Sequence, residues 1–184
     1  MRKVILVLVV IGMIGWGMLD IVSAAQTADI TVTVTCRKLS VGVSPNTYAF
    51  GTVNEGSETV AATAITVTND GNVNEDFEAK LTNPTGWTAI QSLTPGTDQY
   101  ILGAMFKAIA PVVADYDDAE DMLSTTYVEA SILIFALDAG AIGEKGYSVA
   151  AAATRNLWLY FYAPSATTVG TQQSITVTLR ATVS

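Results

Sequence analysis

The fold class is decided by the stretch Ser174-Ile-Thr-Val-Thr-Leu-Arg-Ala-Thr-Val183, in which apolar and polar residues alternate without a break. Successive side chains of a β-strand point to opposite faces, so the aliphatic residues face one way while the threonines and Arg180 face the other. This alternation indicates a strand with one buried face and one solvated face.

The same pattern recurs along the chain and predicts about ten short strands. They cover residues 30–36, 39–43, 48–53, 59–68, 76–82, 86–90, 130–137, 147–151, 156–162 and 174–183. Turn signals separate them, and Asn69-Asp-Gly-Asn72 is typical of a tight hairpin between Thr68 and Phe77. Many short strands with regular turns predict an all-β fold, an antiparallel immunoglobulin-like β-sandwich.

Two segments depart from simple alternation. Leu157-Trp-Leu-Tyr-Phe-Tyr162 is apolar on both faces, which predicts a strand that is central or covered on its outer side. Residues 102–126 contain stretches of helical composition, 104–110 and 117–123, around Pro111. We therefore expect an insertion at 102–126 that carries one short helix.

The N-terminus predicts export. Arg2 and Lys3 precede an apolar run that ends at Leu19, and the small residues Ser23, Ala24 and Ala25 follow. This order is typical of a secretory signal peptide over residues 1–25, with an uncleaved anchor as the alternative. Residues 26–184 would form a single domain with one core, secreted to the extracellular cell surface and in contact with the membrane only during export.

Composition excludes several functions. Residues 26–184 carry seven basic and sixteen acidic side chains, whereas nucleic-acid binding needs clustered Lys and Arg. The chain has no histidine, which excludes Ser-His-Asp and Cys-His catalysis and histidine-bound zinc. Neither a Ser-Lys dyad nor a carboxylate pair lies in a recognisable motif, so we expect a protein that is not an enzyme and needs no cofactor. Cys36 is the only cysteine, and its place in the alternation predicts a small buried residue.

The acidic stretch 115–121 leaves two interpretations open. It holds five carboxylates, the oxygen ligands that calcium prefers: Asp115, Asp117, Asp118, Glu120 and Asp121. The spacing does not fit an EF-hand, because the sixth position from Asp115 is Glu120, where that loop needs glycine. The stretch is either a solvated acidic loop, which we favour, or a calcium site.

Aromatic residues also allow two interpretations. Trp158, Tyr160 and Tyr162 share one face of a predicted strand and, with Trp87, would suit a platform that stacks on sugar rings. Aromatic side chains also dominate cores and subunit contacts, and we favour that interpretation.

The segment Ala28-Asp-Ile-Thr-Val-Thr-Val-Thr-Cys36 follows the predicted cleavage site. Released near a free end, it is suited to β-augmentation, in which a strand joins the open sheet edge of a neighbour. Ile30, Val32 and Val34 would then face the neighbour's core. The alternative is a first strand that pairs within its own domain.

Pro45, Phe50-Gly-Thr-Val53, Gly56 and Ile65-Thr-Val-Thr-Asn-Asp-Gly-Asn72 resemble a pattern of immunoglobulin-like domains in bacterial and archaeal surface proteins, including the ASPM/SPD-2/hydin-like group. The resemblance covers about thirty residues and implies a sandwich that adheres, spaces or assembles. The chain is loosely similar to TasA/camelysin-like secreted fibre subunits. We therefore expect a self-associating structural protein, a homopolymer forming a filament or layer; the alternative is a monomeric adhesion, glycan-binding or calcium-binding module.

Overall fold

The computed structural model describes residues 27–91, 94–136 and 144–184. The predicted signal peptide lies outside these residues. The chain divides into two compact units, Met1–Thr35 and Cys36–Ser184. Every strand of the described chain belongs to the second unit, which is the predicted β domain. No helix in the described part of the chain is long and apolar enough to cross a membrane.

The domain is a β-sandwich of two sheets, which confirms the predicted fold class. The described residues form nine strands: β1 Val41–Ser44, β2 Glu58–Val60, β3 Ile65–Asn69, β4 Glu75–Thr82, β5 Thr88–Ala89, β6 Gln99–Phe106, β7 Val128–Glu129, β8 Thr154–Tyr162 and β9 Thr176–Val183. One sheet has the order β1-β3-β8-β6-β5, with β2 also paired to β8, and the other has the order β7-β4-β9. All pairs are antiparallel except β5 with β6.

The core lies between the inward faces of the two sheets. Phe77 of β4 packs against Phe106 of β6 with ring centroids 5.8 Å apart. Tyr100 and Phe161 continue this layer with centroids 6.0 Å apart. Aromatic rings and branched aliphatic side chains make up this core, and burial of their apolar surface stabilises the sandwich.

The predicted position of strand β8 is confirmed. It lies inside its sheet, between β6 on one side and β2 and β3 on the other. Its outer face is covered as well, because Tyr160 packs with Ile101 and Met122 in a second apolar cluster that Tyr116 joins. A strand buried on both faces needs apolar residues at consecutive positions, as its sequence shows.

Four predicted strands have no named counterpart in the described part of the chain. Residues 30–36, 48–53 and the described part of 130–137 form no named strand, and only an isolated bridge at Val149 represents 147–151. Tyr48 and Phe50 still pack against the core, so their alternation reflects burial without strand pairing. Gly51, at φ 73°, interrupts the extended backbone there.

The predicted insertion at 102–126 needs correction. Its first residues belong to β6, which is buried from Tyr100 to Phe106, and no helix forms at 104–110. A strand buried on both faces has no period-two pattern, so sequence periodicity could not separate it from a helix. The short helical piece is the 3-10 turn Val113–Asp115, which follows Pro111.

The predicted hairpin at Asn69-Asp-Gly-Asn72 is a corner between the two sheets. Strand β3 before it and strand β4 after it belong to different sheets. Asn69 is fully buried and its side chain accepts a hydrogen bond from Gly71 N–H at 2.8 Å. Its amide donates to the carbonyl oxygens of Val73 and Val149, each at 2.8 Å. The asparagine thus satisfies the backbone where the chain changes sheets.

Candidate assembly segment and acidic loop

The segment 27–35 is exposed, and we call it the N-terminal arm. The structure assigns none of its residues to a strand. The alternative prediction, a first strand that pairs within the described sheets, is therefore wrong. Ile30, Val32 and Val34 are 88%, 79% and 81% exposed. Apolar surface of this kind is unfavourable in water, and the alternation places all three side chains on one face of an extended chain.

The residues that follow the arm are fixed to the corner between the sheets. Asn72 donates from its side-chain amide to the carbonyl oxygen of Cys36 at 2.8 Å, and its side-chain oxygen accepts from Lys38 N–H at 2.8 Å. Asn72 N–H donates to the Lys38 carbonyl at 3.1 Å. Ser40 N–H donates to the buried carboxylate of Glu75 at 2.8 Å. This clasp defines the point from which the arm leaves the domain.

Gly71 is required in this clasp for close approach of the backbone. A Cβ atom at Gly71 would lie 2.5 Å from the carbonyl oxygen of Lys38 and would also collide with the Glu75 carboxylate. The Asn-Asp-Gly-Asn motif was predicted as a turn, and its second role, holding residues 36–40, was not predicted. The motif itself was the available signal.

The predicted burial of Cys36 is wrong, because its side chain is exposed. The residue lies at the junction of arm and domain, where no inner sheet face covers it. Its phase with Ile30, Val32 and Val34 is therefore a property of the arm.

The acidic stretch begins with a carboxylate held by a cation. Asp115 accepts a hydrogen bond from Lys107 Nζ at 2.8 Å and another from Val112 N–H at 2.9 Å. These bonds, the one from Lys107 above all, hold the pKa of Asp115 below its usual range. Asp115 therefore secures the 3-10 turn to the end of β6.

Asp121 lies at the other end of the stretch and is 1% exposed. Its Oδ2 atom accepts from Asp117 N–H at 3.0 Å, and its Oδ1 atom has no partner in the described part of the chain. Burial, opposed in part by backbone hydrogen bonds and reinforced by the negative charges of Glu120 and Asp117, raises the pKa of Asp121 to about 7. Nothing in the sequence pattern distinguished this buried carboxylate from the less buried ones in the same stretch.

Three of the five carboxylates proposed for calcium, those of Asp115, Asp117 and Asp121, accept hydrogen bonds from different donors. Asp117 Oδ1 accepts from Ala119 N–H at 2.7 Å, which closes a local turn. Among the described residues no three Asp, Glu or Cys side chains come together as a metal-binding group. The calcium site remains a prediction from composition.

The aromatic residues proposed as a sugar platform lie mostly in the packed interior. Trp158 and Tyr160 are buried and Tyr162 is half-buried. Trp158 donates to the Lys107 carbonyl at 2.9 Å, and Tyr160 stacks on Tyr116 with centroids 5.0 Å apart. This packing favours the interpretation that they are core residues.

Trp87 lies apart from those residues and is half-buried. It stacks on Phe161 with centroids 6.1 Å apart and donates to Thr167 Oγ1 at 3.0 Å. Its ring therefore packs against the sandwich core.

Comparison with known proteins gave no match to a family model, to a curated protein or to a solved structure.

Proposed function

We propose that this chain is a secreted structural protein of the cell surface, a subunit of an extracellular filament or layer that assembles by β-strand addition. The observation that carries the proposal is the N-terminal arm. Its apolar residues Ile30, Val32 and Val34 alternate with threonines and are almost fully exposed. A soluble monomer gains nothing from such a segment, whereas a subunit that donates a strand needs one.

Burial of side chains and pairing of the main chain would both stabilise the added strand. Each of the three apolar side chains would contribute roughly 1.5 to 3 kcal/mol on full burial in a neighbour. An added strand also satisfies backbone groups along an open sheet edge, and its alternate side chains fix the register. Threonine at the intervening positions suits the outer face of a sheet, because its β-branch favours the extended backbone.

The resemblance to immunoglobulin-like surface domains and the predicted export signal are consistent with a role outside the cell. A sandwich of this kind supplies a rigid body, and the arm supplies the connection between bodies. The Asn72 clasp fixes Cys36 and Lys38, so the arm leaves the domain from a defined point. A fixed exit point favours a regular assembly over random tethering.

The decisive experiment compares residues 26–184 with a variant that lacks residues 26–36, by size-exclusion chromatography and negative-stain microscopy. The longer chain should form filaments or large oligomers, and the truncated chain should stay monomeric. A synthetic peptide of residues 26–36 should bind the truncated protein and raise its Tm by mass action. If the truncated chain forms the same oligomers, strand donation is wrong.

A pair of point variants supplies the matched control. Val32 is exposed in the subunit, so Val32→Asp should leave the Tm of the monomer unchanged while abolishing assembly, because an unpaired charge would enter an apolar groove. Thr33→Asp places the same charge on the opposite face and should assemble. Should residues 26–184 remain monomeric at high concentration, a monomeric adhesion or ligand-binding module replaces the structural role.

A further inference from the structure

Strand β9 is a long sheet edge. Within the described residues it pairs only with β4, along all eight of its residues. The other edge strands are short, since β1 has four residues, β2 three, and β5 and β7 two each. Short edges resist pairing with other chains, whereas a long regular edge is a template for an added strand. The edge of β9 is therefore the strongest candidate for an acceptor.

The free edge of β9 carries an identifiable set of backbone groups. Ser184 N–H donates to the carbonyl of Asn74, which lies opposite it. Antiparallel pairing alternates, so even-numbered residues of β9 direct their backbone groups at β4. Those of Val177, Leu179 and Ala181 then point to the free edge. No described residue forms a backbone hydrogen bond with them there.

The side chains at this edge leave the core incompletely covered. Val177, Leu179 and Ala181 lie opposite buried residues of β4 and pack against the core, yet each is only half-buried. The opposite face of β9 carries threonines and Arg180, whose guanidinium bonds Glu78 of β4 on one side and is half exposed. An added strand would need apolar residues at alternate positions and small polar residues between them.

We infer that the free edge of β9 accepts the N-terminal arm of a second copy of this chain, an inference that rests on the proposed function. The arm runs antiparallel to β9 in the register that brings Asp29, its acidic residue, opposite Arg180. This register matches threonine with threonine on the outer face and aliphatic with aliphatic on the inner face, both favourable cross-strand combinations. The resulting pairs are Asp29–Arg180, Ile30–Leu179, Thr31–Thr178, Val32–Val177, Thr33–Thr176 and Val34–Ile175.

The direction of the added strand requires a second copy. Cys36 is hydrogen-bonded to Asn72, and the nearby Asn74 is hydrogen-bonded to Ser184. Cys36, where the arm begins, therefore lies beside the C-terminal end of β9 of the same chain. The antiparallel register needs Cys36 opposite Gln173. At about 3.3 Å per residue, Gln173 lies about 36 Å along the strand from Ser184. Each subunit then donates to the next and accepts from the previous one, a head-to-tail contact that extends into a filament.

The test is a disulfide between the arm of one subunit and β9 of the next. The variant Cys36→Ser removes the only native thiol, and Thr33→Cys with Thr176→Cys adds one to each side of the contact. In the inferred register these residues form a pair without backbone hydrogen bonds, with Cα atoms about 4.5 Å apart. That separation suits a disulfide. A matched control keeps Thr33→Cys and moves the second cysteine to Ser44 on the β1 edge.

After mild oxidation, the Thr176 variant should give a covalent ladder on non-reducing gels, with 33–176 linkages between chains identified by mass spectrometry. The Ser44 control should give no ladder, and far-UV circular dichroism should be the same for both. Three results would overturn the β9 inference: a ladder confined to the control, filaments that form without any 33–176 linkage, or a link within one chain. None of them would contradict assembly that depends on the arm. The proposed function itself is refuted by a different result, namely assembly that survives deletion of residues 26–36.

Discussion

Replacing the buried carboxylate Asp121 with asparagine should change the pH dependence of stability. Burial raises its pKa to about 7 from the ordinary 3.8, so the folded domain opposes ionisation of this group. At about 1.4 kcal/mol per pKa unit, ionised Asp121 lowers the free energy of unfolding by at most about 4 kcal/mol. Asparagine has nearly the same shape and carries no charge, and its carbonyl oxygen accepts from Asp117 N–H as Oδ2 does.

Proton linkage gives the direction in which the stability of the domain changes with pH. Between about pH 4 and pH 7 the folded domain retains a proton on Asp121 that the unfolded chain releases, so this group makes stability fall as pH rises. Below that window both states are protonated and the contribution vanishes; above it the destabilisation is complete. The free energy of unfolding of Asp121→Asn should therefore exceed that of the parent chain at about pH 8 and equal it at about pH 4.

Urea unfolding of the parent chain and of Asp121→Asn across this pH range measures the difference between their free energies of unfolding. Contributions from other carboxylates, such as Asp115 with its lowered pKa, are the same in both proteins and cancel. Asp118→Asn removes a charge from the same acidic stretch at a residue that is not fully buried, and it is the control for loss of a charge alone. A difference for Asp121→Asn that does not change with pH would refute the argument that burial holds this group neutral.

Three further predictions concern the corner and the loop. Asn69→Ala removes the three hydrogen bonds of a buried side chain and should lower the free energy of unfolding by about 3 kcal/mol in urea; a loss below about 1 kcal/mol would contradict the corner's role. Gly71→Ala should free residues 36–40, so limited proteolysis at Lys38 should accelerate, unlike in Gly170→Ala, where a Cβ meets no atom within 4 Å. Because Asp115, Asp117 and Asp121 each accept a hydrogen bond from a different donor, millimolar calcium should leave the Tm unchanged; a rise reversed by EDTA would establish the calcium site.

Strand β9 and strand β8 show what sequence determined about the fold. Strand β9 has one solvated face, so its strict alternation survives and its position was predicted to within two residues. The central position of strand β8 was predictable from sequence, because apolar residues at consecutive positions are tolerated only where both faces are covered. The N-terminal arm was likewise recognisable as a segment with one apolar face.

Tertiary structure alone decided the rest. Strand β6 is buried on both faces and resembled a helix by composition, so only its pairing with β8 identifies it as a strand. The corner at Asn69 depends on a contact with Val149, eighty residues away, which no local pattern contains. Burial of Asp121, exposure of Cys36 and the free edge of β9 are properties of position in the packed domain. Sequence periodicity records which faces are apolar, whereas long-range contacts determine what covers each face.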